Sequence, residues 1–143
     1  MNNMSLVFYR VGNFLHSRGV PFLPKILTVL GQVVFGSYIP ATCRIGPNCK
    51  VAYGGSGLVI HPRAVIGRGC VLSPGVVIGG RGGHYPVPII GDNVQVFPGA
   101  KILGPVTISD GAIIGANAVV IEDMQTGEIA VAPKAYRLAR GDT

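Results

Sequence analysis

Large aliphatic residues recur in this chain every six positions, and no other feature limits its fold so sharply. From Ile39 the series runs through Ile45 and Val51, then resumes after a three-residue insertion at Ile60, Ile66, Leu72 and Ile78. Beyond one glycine-rich interruption it continues through Ile90, Val96, Ile102, Ile108, Ile114 and Val120. The residue four places after each aliphatic gives an independent check. It reads Cys43, Cys49, Gly55, Ala64, Cys70, Val76, Val94, Ala100, Val106, Ala112 and Ala118, all small or compact. Glycine often follows the aliphatic directly, at Gly46, Gly67, Gly79, Gly91 and Gly115, where a turn with positive φ is expected.

A unit of one large aliphatic, one small residue and one turn residue makes a short strand and a corner. Three units close a triangular coil of about eighteen residues, and coils stack at the parallel-strand spacing of roughly 4.8 Å. The expected fold class is therefore an all-β solenoid, a left-handed parallel β-helix of six-residue repeats over residues 39–126, with a loop at 79–89. A β-sandwich would show period two and unequal strands instead. Before the coils, Ser5–Ser17 has apolar residues at helical spacing, with Ser5 as N-cap and Gly19 past its end. A second helix near Pro24–Phe35 starts at a proline and stops at Gly36. Residues 1–38 thus form a helical cap over the exposed edge of the first coil. Residues 127–143, with Lys134, Arg137 and Arg140, are expected to pack on the last coil.

The 143 residues include 22 Gly and 11 Pro, which excludes a long helical bundle. A mean hydropathy of +0.48 with only 13 % charged residues excludes disorder and a dense basic nucleic-acid face, so no nucleic-acid partner is expected. The formal charge of +6 is thinly spread and suits an anionic small ligand or an anionic membrane surface, with peripheral membrane contact falling to the N-terminal helices. Ile26 to Cys43 carries no charge, but Gly31, Gln32, Gly36, Ser37 and Pro40 interrupt it, and a span needs roughly 20 apolar residues. Three cysteines without a C-x-x-C pair argue against a disulfide framework and a structural zinc site. With no secretory leader pattern, a cytoplasmic location follows.

Two stretches add a family resemblance. IGDNVQVFPGAKILG at 90–104, followed by IGANAVV at 114–120, resembles the last coils of the serine acetyltransferase group of hexapeptide-repeat acyltransferases, which includes relatives encoded in surface-polysaccharide clusters. FYRVGNFLHSRG at 8–19 resembles the helix before the coils in that group. The resemblance implies acetyl transfer from acetyl-CoA to a hydroxyl, without a metal, in a homotrimer whose active sites lie between neighbouring prisms. Departures are equally plain. The group's D-H-A-T-G stretch, with an acidic residue and a catalytic His, is matched here by Ala52-Tyr53-Gly54-Gly55-Ser56-Gly57, so neither functional residue carries over. A second His of the group stands just before a Pro, whereas His84 here is followed by Tyr85 and then Pro86. These departures point to a sugar or another small hydroxyl compound as acceptor, with serine as the alternative and a non-catalytic β-helix scaffold as the further alternative.

Deprotonating a hydroxyl at neutral pH suits a His. His16 falls in the first helix, His61 at a corner slot, and His84 in the glycine-rich break of the repeat, where excursions from solenoids carry binding faces. His84 is the expected base and His61 the base or its orienting partner. Tyr53 fills the slot of a family catalytic residue, but a phenol of pKa about 10 is a poor base. Gly79 and Gly80 offer backbone N–H groups to an oxyanion. For acetyl-CoA, Gly99, Ala100, Gly115 and Ala118 suit a groove for the pantetheine arm, and Lys101, Lys134 and Arg137 suit its phosphates. His61 and His84 stand twenty-three residues apart with no H-x4-H pair, which excludes a three-histidine zinc site.

Overall fold

The structure, a computed structural model, describes residues 3–137; Arg140 lies outside them. Two helices, α1 (Met4–Ser17) and α2 (Leu23–Phe35), precede four coils of two- or three-residue strands. The first coil holds β1 (Arg44–Ile45), β2 (Lys50–Val51) and β3 (Val59–Ile60), and the second β4 (Val65–Ile66), β5 (Val71–Leu72) and β6 (Val77–Gly79). The third holds β7 (Ile89–Ile90), β8 (Gln95–Val96) and β9 (Lys101–Leu103). β10 (Thr107–Ile108), β11 (Ile113–Ile114) and β12 (Val119–Val120) make the fourth, and β13 (Ile129–Ala130) follows. Three parallel sheets result, β1-β4-β7-β10, β2-β5-β8-β11-β13 and β3-β6-β9-β12. This is the parallel β-solenoid with a short helical N-terminal region that the period of six implies.

Register follows the sequence spacing. Ile90 stands beside Ile108, eighteen residues on. The step widens to twenty-one across the insertion after Val51, which pairs with Leu72. It widens to twenty-four across the glycine-rich loop, where Ile78 pairs with Ile102. Every aliphatic slot from Ile39 to Val120 is buried, and so is every small slot from Cys43 to Ala118. The three cysteines are free and occupy small slots. Cys49 Sγ donates to the Gly67 carbonyl at 3.1 Å and Cys70 Sγ to that of Gly91 at 3.2 Å. The hydrogen bond shared with Cys49, together with burial, pushes the Cys70 thiol above its ordinary range.

The glycines after the aliphatics have a different cause from the expected turn. None of Gly46, Gly67, Gly79, Gly91 and Gly115 has positive φ. A Cβ on Gly67 would stand 2.5 Å from the Gly91 carbonyl oxygen, and closer still to Asp92 Oδ1; one on Gly46 would stand 2.7 Å from the Gly67 backbone. At Gly46, Gly67, Gly91 and Gly115 stacked corner backbones leave no room for a side chain, whereas at Gly79 the nearest atom is Leu103 Cδ2 at 3.3 Å. The left-handed residue falls three places after the aliphatic instead, at Asn48, Gly69, Gly75, Asn93, Gly99, Gly111 and Asn117. Gly and Asn tolerate that conformation best, which is why they fill the slot at these corners, while Thr42, Arg63, Arg81, Pro105 and Asp123 fill it where the backbone is not left-handed.

The helices close the open edge of the first coil through side chains. Tyr9 Oη donates to the Cys43 carbonyl at 2.9 Å and accepts from the Ile45 N–H at 3.0 Å. Arg10 donates to the carbonyls of Ile45 and Gly46, and Asn13 Nδ2 to that of Ala41 at 2.8 Å. Asn3 Oδ1 accepts from the Val51 N–H at 3.2 Å. Unpaired edge groups are thereby satisfied without another strand. Asn3, not Ser5, occupies the N-cap position of α1; Ser5 is buried within the helix and its hydroxyl has no partner. Pro24 lies in the first turn of α2 and Gly36 ends it in the left-handed conformation, both as expected. At the other end β13 pairs with β11, so the ladder runs past residue 126 to Ala130. Ala132 is half-buried against the core, and Pro133 to Arg137 are exposed.

Candidate active site

His61 leaves the end of β3 at a solenoid corner. Its backbone is fixed on both sides, since its N–H donates to the Ile78 carbonyl at 2.7 Å and its carbonyl accepts from Ala64 at 3.0 Å. The ring is oriented as well. Nδ1 accepts the Arg63 backbone N–H at 3.1 Å, so the neutral imidazole carries its proton on Nε2. Partial burial, and then the Arg63 charge, lower the pKa of this histidine. Its free edge faces the base of the loop: a Cβ on Gly80 would lie 3.7 Å from Cδ2 and 3.8 Å from Nε2 of His61, and 3.9 Å from Val87.

The loop leaves from the end of β6 at the corresponding corner one coil further on. Gly79 is still in register with Leu103, and its carbonyl accepts from Gly104 at 3.0 Å. From Gly80 the chain departs, and the Gly80 N–H has no backbone partner among the described residues. Arg81 and His84 close a turn, with the His84 N–H donating to the Arg81 carbonyl at 3.1 Å and Gly83 at φ +83°. The Arg81 side chain lies over Gly104, where a Cβ would come within 2.9 Å of it. Val87 and Pro88 are buried and return the chain to β7. His84 is exposed at the turn. The Arg63 guanidinium stacks on the Tyr85 ring, 3.9 Å from its centroid.

One corner therefore collects His61, Arg63, Gly80 and the loop with His84 and Tyr85. Tyr53 is elsewhere. It sits in the turn Ala52–Gly55 between β2 and β3, a full strand away from the corner after β3, at φ +51° and 87 % exposed. Within one chain it does not join the histidines. Arg63, Arg81 and Tyr85 escaped the sequence reading. Their signal was present as cations and an aromatic at and beside the break, but a single Arg or Tyr at a corner reads as a solvated surface residue.

The acetyl-CoA candidates divide in the same way. Ala100 and Ala118 are buried in the solenoid, so neither methyl lines an outer groove, contrary to expectation; they are small because they point into the core. Gly99 is a left-handed corner beneath Asn117, and Gly115 is confined by the Ala130 carbonyl. Lys101 is exposed on β9 with Nζ bonded to the Gly99 carbonyl at 3.1 Å, and Lys134 and Arg137 are exposed in the tail. Among the described residues Arg68 with Asp92, at 3.2 Å, is the one ion pair, so these three cations have no carboxylate partner and fit phosphates. No three potential ligands gather as a metal site among the described residues.

Comparisons with known proteins bear on the fold and the family. Residues 88–122 match the family model described as bacterial transferase hexapeptide (six repeats). A serine acetyltransferase of Helicobacter pylori is 35 % identical over 138 residues, covering 95 % of this chain and 80 % of that protein. The solved serine acetyltransferase of Neisseria gonorrhoeae in complex with serine superposes with a TM-score of 0.84 at 30 % identity, over 93 % of this chain and 55 % of that one. That of Brucella abortus in complex with coenzyme A gives 0.81 at 25 %, over 85 % and 49 %. This chain thus spans about half the length of the two solved chains. Fold and relatives together define a hexapeptide-repeat acyltransferase that uses acetyl-CoA as co-substrate. Within that class, the chain belongs to the serine acetyltransferase family.

Proposed function

We propose that the protein O-acetylates the hydroxyl of a small amino acid, serine first, at a site built around the loop bearing His84 and shared between subunits of a homotrimer. The observation that carries this reading is the glycine-rich loop after β6, which carries His84 and whose first residue, Gly80, lies against His61, in a chain so similar to serine acetyltransferases. Those relatives support serine, the alternative in the sequence reading, over a sugar.

In this mechanism His84 takes the acceptor proton as the hydroxyl oxygen attacks the thioester carbonyl carbon. The carbonyl electrons move onto oxygen, where the Gly80 N–H and the Nε2–H of His61 are the available donors. Collapse breaks the carbon–sulfur bond, and the leaving thiolate recovers the proton from His84. His61 is unsuited to be the base, because its Nδ1 lone pair is already engaged and its Nε2 already carries a proton. Lys101, Lys134 and Arg137 are the cations for the donor's phosphates, with Gly99 and Gly115 along its path. Free buried thiols fit a reducing, cytoplasmic location.

A second reading, acetylation of a different hydroxyl compound such as a sugar, is favoured by one observation, Tyr53 in the slot of the family's catalytic histidine. The test is thiol release from acetyl-CoA against serine, other amino acids, sugars and nucleotide-linked sugars. Turnover with serine well above the rest supports the first reading, and selective turnover of a sugar supports the second. Failure of every acceptor, with no CoA binding by calorimetry, makes the protein a scaffold.

A further inference from the structure

The outward side of the two N-terminal helices is largely apolar. On α2 the inner side is formed by Pro24, Leu27, Thr28, Gly31 and Phe35, with the Phe35 ring 5.4 Å from that of Phe8 on α1. The other side displays Phe22, Ile26, Val29, Leu30, Val33 and Val34, of which Phe22 and Val33 are more than three-quarters exposed. Lys25 and Gln32 are the polar residues among them. α1 extends the same surface with exposed Val7, Val11 and Phe14. So many exposed large apolar residues on one pair of helices mark an interaction site.

Charge identifies the occupant. The first acidic residue of the chain is Asp92; the 91 residues before it hold eight of the twelve lysines and arginines. Arg18 and Lys25 flank the turn joining the two helices, and Arg18 lies over the exposed Phe14 ring, 4.9 Å from its centroid. A second copy docked on this face by the same helices would offer no carboxylate to pair with Arg18 and Lys25, because residues 1–91 contain none. An anionic bilayer surface supplies both an apolar boundary and negative charge.

We propose that the α1–α2 face docks on an anionic lipid bilayer, with α2 lying in the interfacial plane and Arg18 and Lys25 at the level of the phosphates. The thirteen residues of α2 extend about 20 Å, and no helix among the described residues is long and apolar enough to cross a membrane, so the contact is peripheral. Docking also orients the rest of the molecule. Lys25, Thr28 and Val29 share a cleft of about 420 Å³ with Tyr38, Thr42 and Pro62. Thr42 and Pro62 also border the next groove, with Arg44 and Arg63, and Arg63 carries Tyr85 of the loop. The edge that bears the candidate active site therefore begins at the docking face.

Flotation of the purified protein with vesicles tests the proposal, using phosphatidylcholine alone against phosphatidylcholine mixed with phosphatidylglycerol. Binding to the mixed vesicles, weakened by salt, is expected, with little binding to the neutral ones. The doubly substituted Val29→Glu, Val33→Glu protein should lose at least about tenfold in bound fraction, and Lys25→Glu should lower it selectively on anionic vesicles. CoA release with a soluble acceptor should be unchanged in both, which also reports that they fold. No binding of the wild type to either vesicle overturns the proposal, as does binding that ignores lipid charge. Concentration-dependent association in solution that is abolished by the valine substitutions, without vesicle binding, assigns the face to a second copy and overturns it as well. Acceptor identity plays no part in these outcomes.

Discussion

The two halves of the solenoid are built from one repeat and treat their corners in opposite ways. From β7 to β12 the period is unbroken, and carboxylates fasten the corners. Asp92 Oδ1 accepts from the Arg68 N–H at 2.9 Å, Asp110 Oδ1 from Asp92 at 2.7 Å, and Asp123 Oδ1 from Thr107 at 2.7 Å. Before β7 the chain contains no carboxylate side chain, and the period is broken twice. There the corners carry arginines and His61, and at the glycine-rich loop the Gly80 N–H has no backbone partner among the described residues. Regularity consumes polar groups in stacking, whereas interruption leaves them for a ligand. That contrast supports the loop after β6 as the proposed site without reference to any motif.

The largest way to break the comparison is to remove the ladder that both halves share. Ile102→Asp or Ile114→Asp would bury an unpartnered carboxylate at a cost of several kcal/mol, enough to abolish soluble protein. Gel filtration and melting of either variant check this, and wild-type behaviour would mean the register is wrong. Next in size is the loop. His84→Ala should lower turnover by roughly 10²–10⁴ with CoA affinity nearly unchanged. If His61→Ala abolishes activity while His84→Ala keeps it, the roles assigned to the two histidines are exchanged.

Two glycines sharpen the contrast on stability alone. Gly67→Ala, with stacked backbone above it, should cost about 3 kcal/mol, while Gly82→Ala in the loop, where a Cβ meets nothing within 4 Å, should stay within about 0.5 kcal/mol. Denaturant midpoints decide, and equal midpoints would remove the stacking explanation. The smallest effect is a pH slope. His61 has a folded pKa below its unfolded value near 6.5, so the unfolded chain binds more protons and stability declines as pH falls from about 6.5. His61→Gln should lose that part of the slope; an identical slope in the variant contradicts the burial of its ring.

The solenoid was legible in the sequence because a fixed period places the same side chain in the same environment many times, so slots such as Ile102 and Ala112 confirm one another. The corner glycines were misread because one residue type serves two needs. Gly46 lacks room for a Cβ, Gly99 needs positive φ, and only Asn48, Asn93 and Asn117 in the second slot separate the two causes. Ala100 and Ala118 were misplaced for a related reason, since a small residue that lets a ligand approach looks the same as one that fills a narrow core. The stacking of Arg63 on Tyr85 joins residues on different coils, and no local pattern encodes it. Nor does local pattern reveal that Tyr53 and His61, eight residues apart, occupy different corners.

The side-chain lid of α1 also sets an order of events in time. Ribosomes deliver the helix before the edge it covers, and Tyr9, Arg10 and Asn13 reach the first coil as soon as residues 41–46 emerge. Each later coil then lays down on a face already ordered by its predecessor. The edge of the first coil is thereby covered while the later coils are still being made, and is not offered to a neighbouring chain on the same message. A lid encoded after the coils would protect the finished molecule equally well, yet leave every growing one open to entanglement.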